Sequence, residues 1–227
     1  MNPTSSRTSL LLIAALCAPL CCAQPLVANV RQGTNISLTL SPDGQRIVID
    51  LLGQLWGMPV AGGGATPLTP ADHVVRNPRF SADGNRIVYQ RSSNDQWDIW
   101  LLELETGETR QLSGEPYNEK DPDFSRDGRS IVFVSDRAGS FDIWELGFDF
   151  GRLRQLSRTP GNASFPTVSE FGTIAFANES AEGWSLEILE ANGSSRPVYR
   201  SDRPLRAPSW RPGGGVLLFA EQRSASE

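Results

Sequence analysis

The feature that most constrains this chain is a turn that recurs at near-constant spacing. An apolar residue, then Ser-x-Asp-Gly, precedes a β-branched or aromatic run. It first reads Leu40-Ser41-Pro42-Asp43-Gly44 ahead of Ile47-Val48-Ile49. It returns as Phe80-Ser81-Ala82-Asp83-Gly84 ahead of Ile87-Val88-Tyr89, and as Phe124-Ser125-Arg126-Asp127-Gly128 ahead of Ile131-Val132-Phe133. A decayed fourth copy is Val168-Ser169-Glu170-Phe171-Gly172, and a fifth is Trp210-Arg211-Pro212-Gly213-Gly214 ahead of Val216-Leu217-Leu218-Phe219. Ser41, Ser81, Ser125 and Ser169 mark the period, with Arg211 as the fifth equivalent. A period of about 40–45 residues fits one four-stranded sheet per repeat.

A second signal keeps step with the first. Leu55-Trp56, Ile99-Trp100 and Ile143-Trp144 follow Ser41, Ser81 and Ser125 in turn, and Leu186-Glu187 holds the place after Ser169. Each pair leads into a glycine-containing turn and a short closing segment, such as Arg110-Gln111-Leu112-Ser113 or Arg154-Gln155-Leu156-Ser157. Asp-Gly before a β-branched run predicts a hairpin, because Gly accepts positive φ at no cost and Asp tolerates it. Strands this short bury little within one sheet. Stacking the sheets face to face buries Ile, Val, Phe and Trp between neighbours. No stretch beyond Ala23 has sustained helical periodicity. A sandwich would leave the fivefold spacing unexplained.

At these residues a family resemblance becomes specific. The run 124–144, opening on Phe124-Ser125-Arg126-Asp127-Gly128 and closing on Phe141-Asp142-Ile143-Trp144, resembles the WD40-like repeat of the TolB family. Similar repeats form the N-terminal propellers of tricorn-like proteases, prolyl-oligopeptidase-type peptidases and exported amidohydrolases. The first repeat, with Gly53-Gln54-Leu55-Trp56 and then Pro59-Val60-Ala61-Gly62-Gly63, is most similar to the openings of the amidohydrolase and tricorn-like chains. The resemblance implies an all-β chain, a β-propeller of TolB type with four complete blades and half of a fifth. The blades are expected at 36–70, 77–114, 121–158, 165–200 and 207–227, leaving the ring incomplete. TolB proper carries an α/β domain ahead of its propeller, and only residues 24–35, a possible closing strand, stand before the first repeat here. The stretch 220–227 aligns with 134–141 in the middle of the third repeat, so the chain is expected to be a fragment. The resemblance fixes a scaffold that unrelated activities share.

Positions 1–23 read as a secretory signal. Arg7 precedes an apolar run from Leu10 to Leu16, and Cys21 and Ala23 are small residues placed for cleavage before Gln24. The run is too short to cross roughly 30 Å of hydrocarbon, and Pro19 interrupts it. All three cysteines, Cys17, Cys21 and Cys22, fall inside the signal, so the mature chain is expected to have neither disulfides nor thiol chemistry. Ala18-Pro19-Leu20 lacks the small residue that lipidation of Cys21 calls for. The expected location is the bacterial periplasm or the exterior. A formal net charge of −5 argues against a nucleic-acid partner.

Catalytic motifs do not emerge. The sequence has no Gly-x-Ser-x-Gly elbow, no His-Glu-x-x-His and no phosphate-cradling loop. Its one histidine cannot supply a typical zinc site, so no metal and no cofactor are expected. In a four-stranded meander the first and third turns share one face; the second turn and the blade-to-blade linker share the other. The second face carries the longer, more charged loops, where binding function tends to sit. Its candidate binding residues are His73, Tyr117, Lys120, Asp136 and Arg137. A lone loop histidine is more often solvated than catalytic, and the Asp136-Arg137 pair is expected to stabilise its own turn by local hydrogen bonds. Trp56, Trp100 and Trp144 recur in register and are expected to pack blades. The expected function is a non-catalytic scaffold that binds a protein or peptide. The alternative is the substrate-gating propeller of a larger hydrolase.

Overall fold

A computed structural model describes residues 36–222 except 94, 150 and 214. The signal at 1–23 and the lead-in at 24–35 lie outside the described residues. All regular structure among the described residues is β-strand. The first sheet is β1 (Leu38–Leu40), β2 (Arg46–Leu51), β3 (Gln54–Pro59) and β4 (Thr66–Pro67). The second is β5 (Val74–Phe80), β6 (Arg86–Ser93), β7 (Gln96–Glu103) and β8 (Thr109–Gln111). The third is β9 (Glu119–Phe124), β10 (Ser130–Ser135), β11 (Asp142–Gly147) and β12 (Leu153–Gln155). The fourth is β13 (Asn162–Val168), β14 (Ile174–Ser180), β15 (Gly183–Leu189) and β16 (Ser195–Ser201), and β17 (Leu205–Trp210) with β18 (Leu217–Glu221) makes a two-stranded fifth. Every sheet is an antiparallel meander in chain order. First strands of successive sheets lie side by side, β1 by β5, β5 by β9, β9 by β13 and β13 by β17. They form the inner edge of an unclosed ring.

The recurring turn is built as its residue types dictate. The Ser81 hydroxyl bonds the Asp83 carboxylate at 2.5 Å, which takes the Asn85 amide at 3.0 Å, while Arg86 N–H donates to Ser81 Oγ at 3.0 Å. Gly84 holds φ +74° at the reversal. The same set recurs around Ser41 and Ser125. The fourth copy lacks the aspartate, and Ser169 Oγ alone takes the amides of Phe171 and Thr173. A second repeated clamp closes the outer edge of the first three sheets. Leu55, Ile99 and Ile143 donate their amides to Thr69 Oγ1, Ser113 Oγ and Ser157 Oγ at 2.8–2.9 Å.

The core lies between sheets. Alternate side chains on a strand face opposite ways, and β6 shows the consequence. Ile87 and Tyr89 join Val48 and Leu55 of the first sheet, whereas Val88 joins Ile131 and Phe133 of the third. Val132 and Val134 then meet Ala163 and Phe176, and Ala177 and Leu186 meet Leu205. Trp100 and Trp144 pack against the first two of these layers.

Inner strands β5, β9, β13 and β17 begin two to three residues ahead of the expected blade starts at 77, 121, 165 and 207. The residues at those four positions are Asn77, Asp121, Phe165 and Ala207, each at positive φ and each followed by proline. Pairing with the second strand shifts register there. Each strand therefore passes through a bulge. The bulges carry polar links between sheets. Asn77 N–H donates to Asp50 at 3.0 Å, its carboxamide donates to Asp121 at 2.5 Å, and Phe165 N–H donates to Asp121 at 3.1 Å.

Glycine separates tight positions from merely left-handed ones. At Gly161 (φ +114°) an added Cβ would stand 2.1 Å from the Glu179 carbonyl oxygen, whereas at Gly107 (φ +72°) it would meet open space. Gly161→Ala is expected to lower unfolding free energy by about 3 kcal/mol or more through backbone collision. Gly107→Ala is expected to cost about 1 kcal/mol from its left-handed φ alone. Urea unfolding of the two variants checks the difference.

Candidate binding face

Second turns of the meanders face the same way as the sheet-to-sheet linkers. In the first, second and fourth sheets these turns take two residues, 52–53, 94–95 and 181–182; in the third it takes six, 136–141. The long hairpin therefore stands beside the linker 112–118 that leads into its own sheet. The two segments are tied together. Asp136 accepts the Asn118 backbone amide at 2.9 Å and its side-chain amide at 3.1 Å. Arg137 donates to Glu115 at 3.1 Å and to the Ser135 hydroxyl at 3.1 Å. Gln96 reaches across from the second sheet to the Glu115 carbonyl at 2.5 Å.

Beneath this hairpin lies a buried ion pair between Arg137 and Glu119, the arginine side chain 9% exposed and the glutamate fully buried. The guanidinium is also 5.2 Å from the ring centres of both Tyr117 and Trp144. Burial pushes the Glu119 carboxyl above its ordinary range, against the pull of the Ser113 hydroxyl and the Arg137 charge. Nearby Asp98 is also raised by burial, and its charge adds to the upward push on Glu119. At the register of Glu119 the second, fourth and fifth sheets place Val75, Ala163 and Leu205, all buried. A charge has thus replaced an apolar layer residue, and Arg137 compensates it.

Three of the expected residues, Tyr117, Asp136 and Arg137, come together here. Lys120 lies alongside, its ammonium 3.7 Å from the centre of the Phe141 ring in the same hairpin. His73 sits elsewhere, in the linker 68–73, with Asp72 at 3.7 Å and its carbonyl close against Gly53. The expectation of a locally bonded Asp136-Arg137 pair covers only part of their contacts: Arg137 does bond the neighbouring Ser135 hydroxyl and Asp136 accepts the Gly139 amide through its carbonyl. Their side chains also bridge 18 to 22 residues along the chain to Asn118, Glu119 and Glu115, because the six-residue hairpin leans on the linker. Glu115, Asn118, Glu119 and Phe141 were not singled out by sequence. The signal available was a glutamate at an apolar repeat position.

The sequence profile of the TolB beta propeller domain matches residues 60–227. This chain belongs to the TolB β-propeller family. The fold of this propeller is similar to TolB from Acinetobacter baumannii, with 22% identity, a TM-score of 0.69 and coverage of 80% of this chain and 47% of that one. It is similar to a putative TolB from Agrobacterium tumefaciens at 20% identity and TM-score 0.71, covering 82% and 73%. It is also similar to an oligogalacturonate lyase in complex with manganese, at 18% identity and TM-score 0.62, covering 81% and 60%. The chain spans about half the length of the Acinetobacter protein. No curated protein sequence matches it. Among the described residues of this propeller, no group of three or more His, Cys, Asp or Glu side chains is placed to hold a metal ion.

The buried pair makes a pH-dependent prediction. Arg137→Met leaves the Glu119 charge buried and uncompensated, so a loss of about 3–5 kcal/mol at pH 7 is expected. A carboxyl raised in the folded state takes up its proton more readily when folded, so the stability tied to it is present at acid pH and lost as pH rises. The deficit of Arg137→Met is therefore expected to shrink as pH falls from 7 toward the ordinary carboxyl value of 4.5. The double variant E119V/R137M, which restores the apolar layer, is expected to regain most of the loss at every pH. Urea unfolding across that pH range measures all three chains.

Proposed function

We propose that this propeller is a non-catalytic scaffold of the periplasm or cell exterior that binds a protein or peptide on the face formed by the third-sheet hairpin and the linker before it. The observation that carries the reading is the long hairpin 136–141 locked onto the linker 112–118, which presents Tyr117 and Lys120 on a braced surface. Tyrosine offers large contact area with few rotatable bonds, and binding hot spots favour aromatic residues held in place by their neighbours. Arg137 and Asp136 act as supports in this reading; Tyr117 and Lys120 are the groups that meet the partner. Membership of the TolB family supports a binding role. Among the described residues no helix is long and apolar enough to cross a membrane. His73 lies in another linker, beside Asp72.

A second reading is favoured by the likeness to a solved puromycin hydrolase, 18% identical at TM-score 0.59, of which this chain covers 31%. Here the propeller would gate substrate for a hydrolytic domain, and the same loop face would line the gate.

The test uses the full chain immobilised against periplasmic extract of its source bacterium, with crosslinking and mass spectrometry to identify retained proteins. Y117A/K120A is expected to weaken capture of the retained protein at least about tenfold, while Glu105→Ala on the opposite face leaves it unchanged. Equal retention by Y117A/K120A, or nothing held above a blank column, sinks the binding reading.

A further inference from the structure

On the face that carries the Asp-Gly turns, the first two sheets share a further inter-sheet link, which the third sheet lacks. Arg46 reaches the Gly84 carbonyl of the next sheet at 3.1 Å and lies over Phe80. Arg86 repeats this to the Gly128 carbonyl at 3.1 Å, lying over Phe124 and Phe148. Ser130 occupies the same register in the third sheet, opposite Gly147 as Arg86 is opposite Glu103. Its hydroxyl turns to Glu145 at 2.8 Å instead of crossing to the fourth sheet. Glu145 in turn replaces the buried Leu101 of the second sheet, each being paired to the arginine of the fourth strand, Arg154 or Arg110.

These changes leave a hollow of about 310 Å³ whose lining includes Arg129, Ser130, Glu145, Asp149, Arg152 and Arg154. Arg154 is spent on Glu145 at 2.7 Å. The guanidinium groups of Arg129 and Arg152 take part in no hydrogen bond or ion pair among the described residues; the charge of Arg129 is felt by Asp127. Register places Asn85 and Glu108 in the second sheet where Arg129 and Arg152 stand in the third. Two arginines thus enter where the second sheet has a neutral and an acidic residue, in a chain of net charge −5.

We propose that this hollow is a binding site for a small oxyanion-bearing molecule, gripped by Arg129 and Arg152. A guanidinium presents paired N–H donors that match a carboxylate or a phosphate, and such charge-assisted bonds are the stronger kind. The volume is in the range of small-molecule sites. Ser130 and Glu145 fix the floor, with Arg154 neutralising the glutamate so that an anion is not repelled. Asp149 on the rim would select against ligands whose negative charge extends outward.

The test is a titration of the ¹⁵N-labelled full chain at pH 7 and constant ionic strength, first with inorganic phosphate and then with succinate. Saturable shifts confined to the amides around Arg129, Ser130, Gly147 and Arg152 are expected for at least one anion. Phosphate alone or succinate alone names the group that is recognised, and both support the site. R129Q/R152Q is expected to weaken binding at least about tenfold. Should that variant unfold, S130R decides: it adds a positive charge but refills the hollow as Arg86 does in the second sheet, so binding is expected to fall. Non-saturable shifts spread over many arginines, undiminished binding by R129Q/R152Q, or tighter binding by S130R would overturn the proposal.

Discussion

A sheet with apolar side chains on both faces must be covered twice, and contact between the faces of successive sheets is the interaction on which the remaining structure depends. The second sheet shows why. Ile87, Tyr89 and Leu102 need the first sheet, while Val88, Ile99 and Leu101 need the third. Neither face could be left in water without losing a large share of the burial that opposes chain entropy. An array of such sheets has no internal place to stop, which makes its stability a sum over neighbours.

Hydrophobic contact is non-directional, so it cannot by itself set how one sheet is rotated on the next. Directed polar contacts between sheets supply that information at two places. At the inner edge, Asn77 and Asp121 link bulges to the preceding or following sheet. Midway, Arg46 and Arg86 bridge to the next Asp-Gly turn. Within each of the first three sheets, Thr69, Ser113 and Ser157 close the outer edge without touching a neighbouring sheet. The inner links come at a cost. Burial raises the carboxyls of Asp50 and Asp121, and it raises Asp123 although Arg79 and the Val168 amide pull the other way. Such groups hold a unique arrangement only while every partner is in place.

The architecture was legible because it rests on a turn position that recurs five times, three of them with complete Ser-x-Asp-Gly chemistry. Ser-x-Asp-Gly specifies its own turn, and alternation in Ile131-Val132-Phe133-Val134 specifies two buried faces. The inner bulges were missed, although Asn77-Pro78, Asp121-Pro122, Phe165-Pro166 and Ala207-Pro208 recur as regularly as the turns. Proline within a run argues against a central strand, and these prolines are tolerated because they sit at edge-strand bulges. The binding face was legible as a place but not as a geometry. Loop length and charge pointed to Tyr117, Lys120 and Arg137. That Arg137 is occupied by Glu119 follows only from a long-range pairing across β9 and β10. Local sequence carries no trace of such a partner except the misfit of a glutamate in an apolar register.

Repetition itself limits where function can reside. A residue that recurs from one sheet to another is consumed by a structural contact, as Arg46 and Arg86 are by carbonyls of the next sheet, or Thr69 and Ser113 by amides within their own. Chemical capacity is left over only where a copy departs from the others. The third sheet departs twice, at opposite ends of its own strands. Glu119 replaces an apolar residue and is answered by Arg137, which braces a hairpin longer than those of the first and fourth sheets. Ser130 replaces a bridging arginine and opens space beside Arg129 and Arg152. Both departures keep the inter-sheet layers closed, since Ile131, Val132, Phe133 and Val134 between them are all buried. The third sheet can therefore carry specialised ends on an unspecialised core, and a scaffold of identical layers acquires individual sites without altering how it stacks.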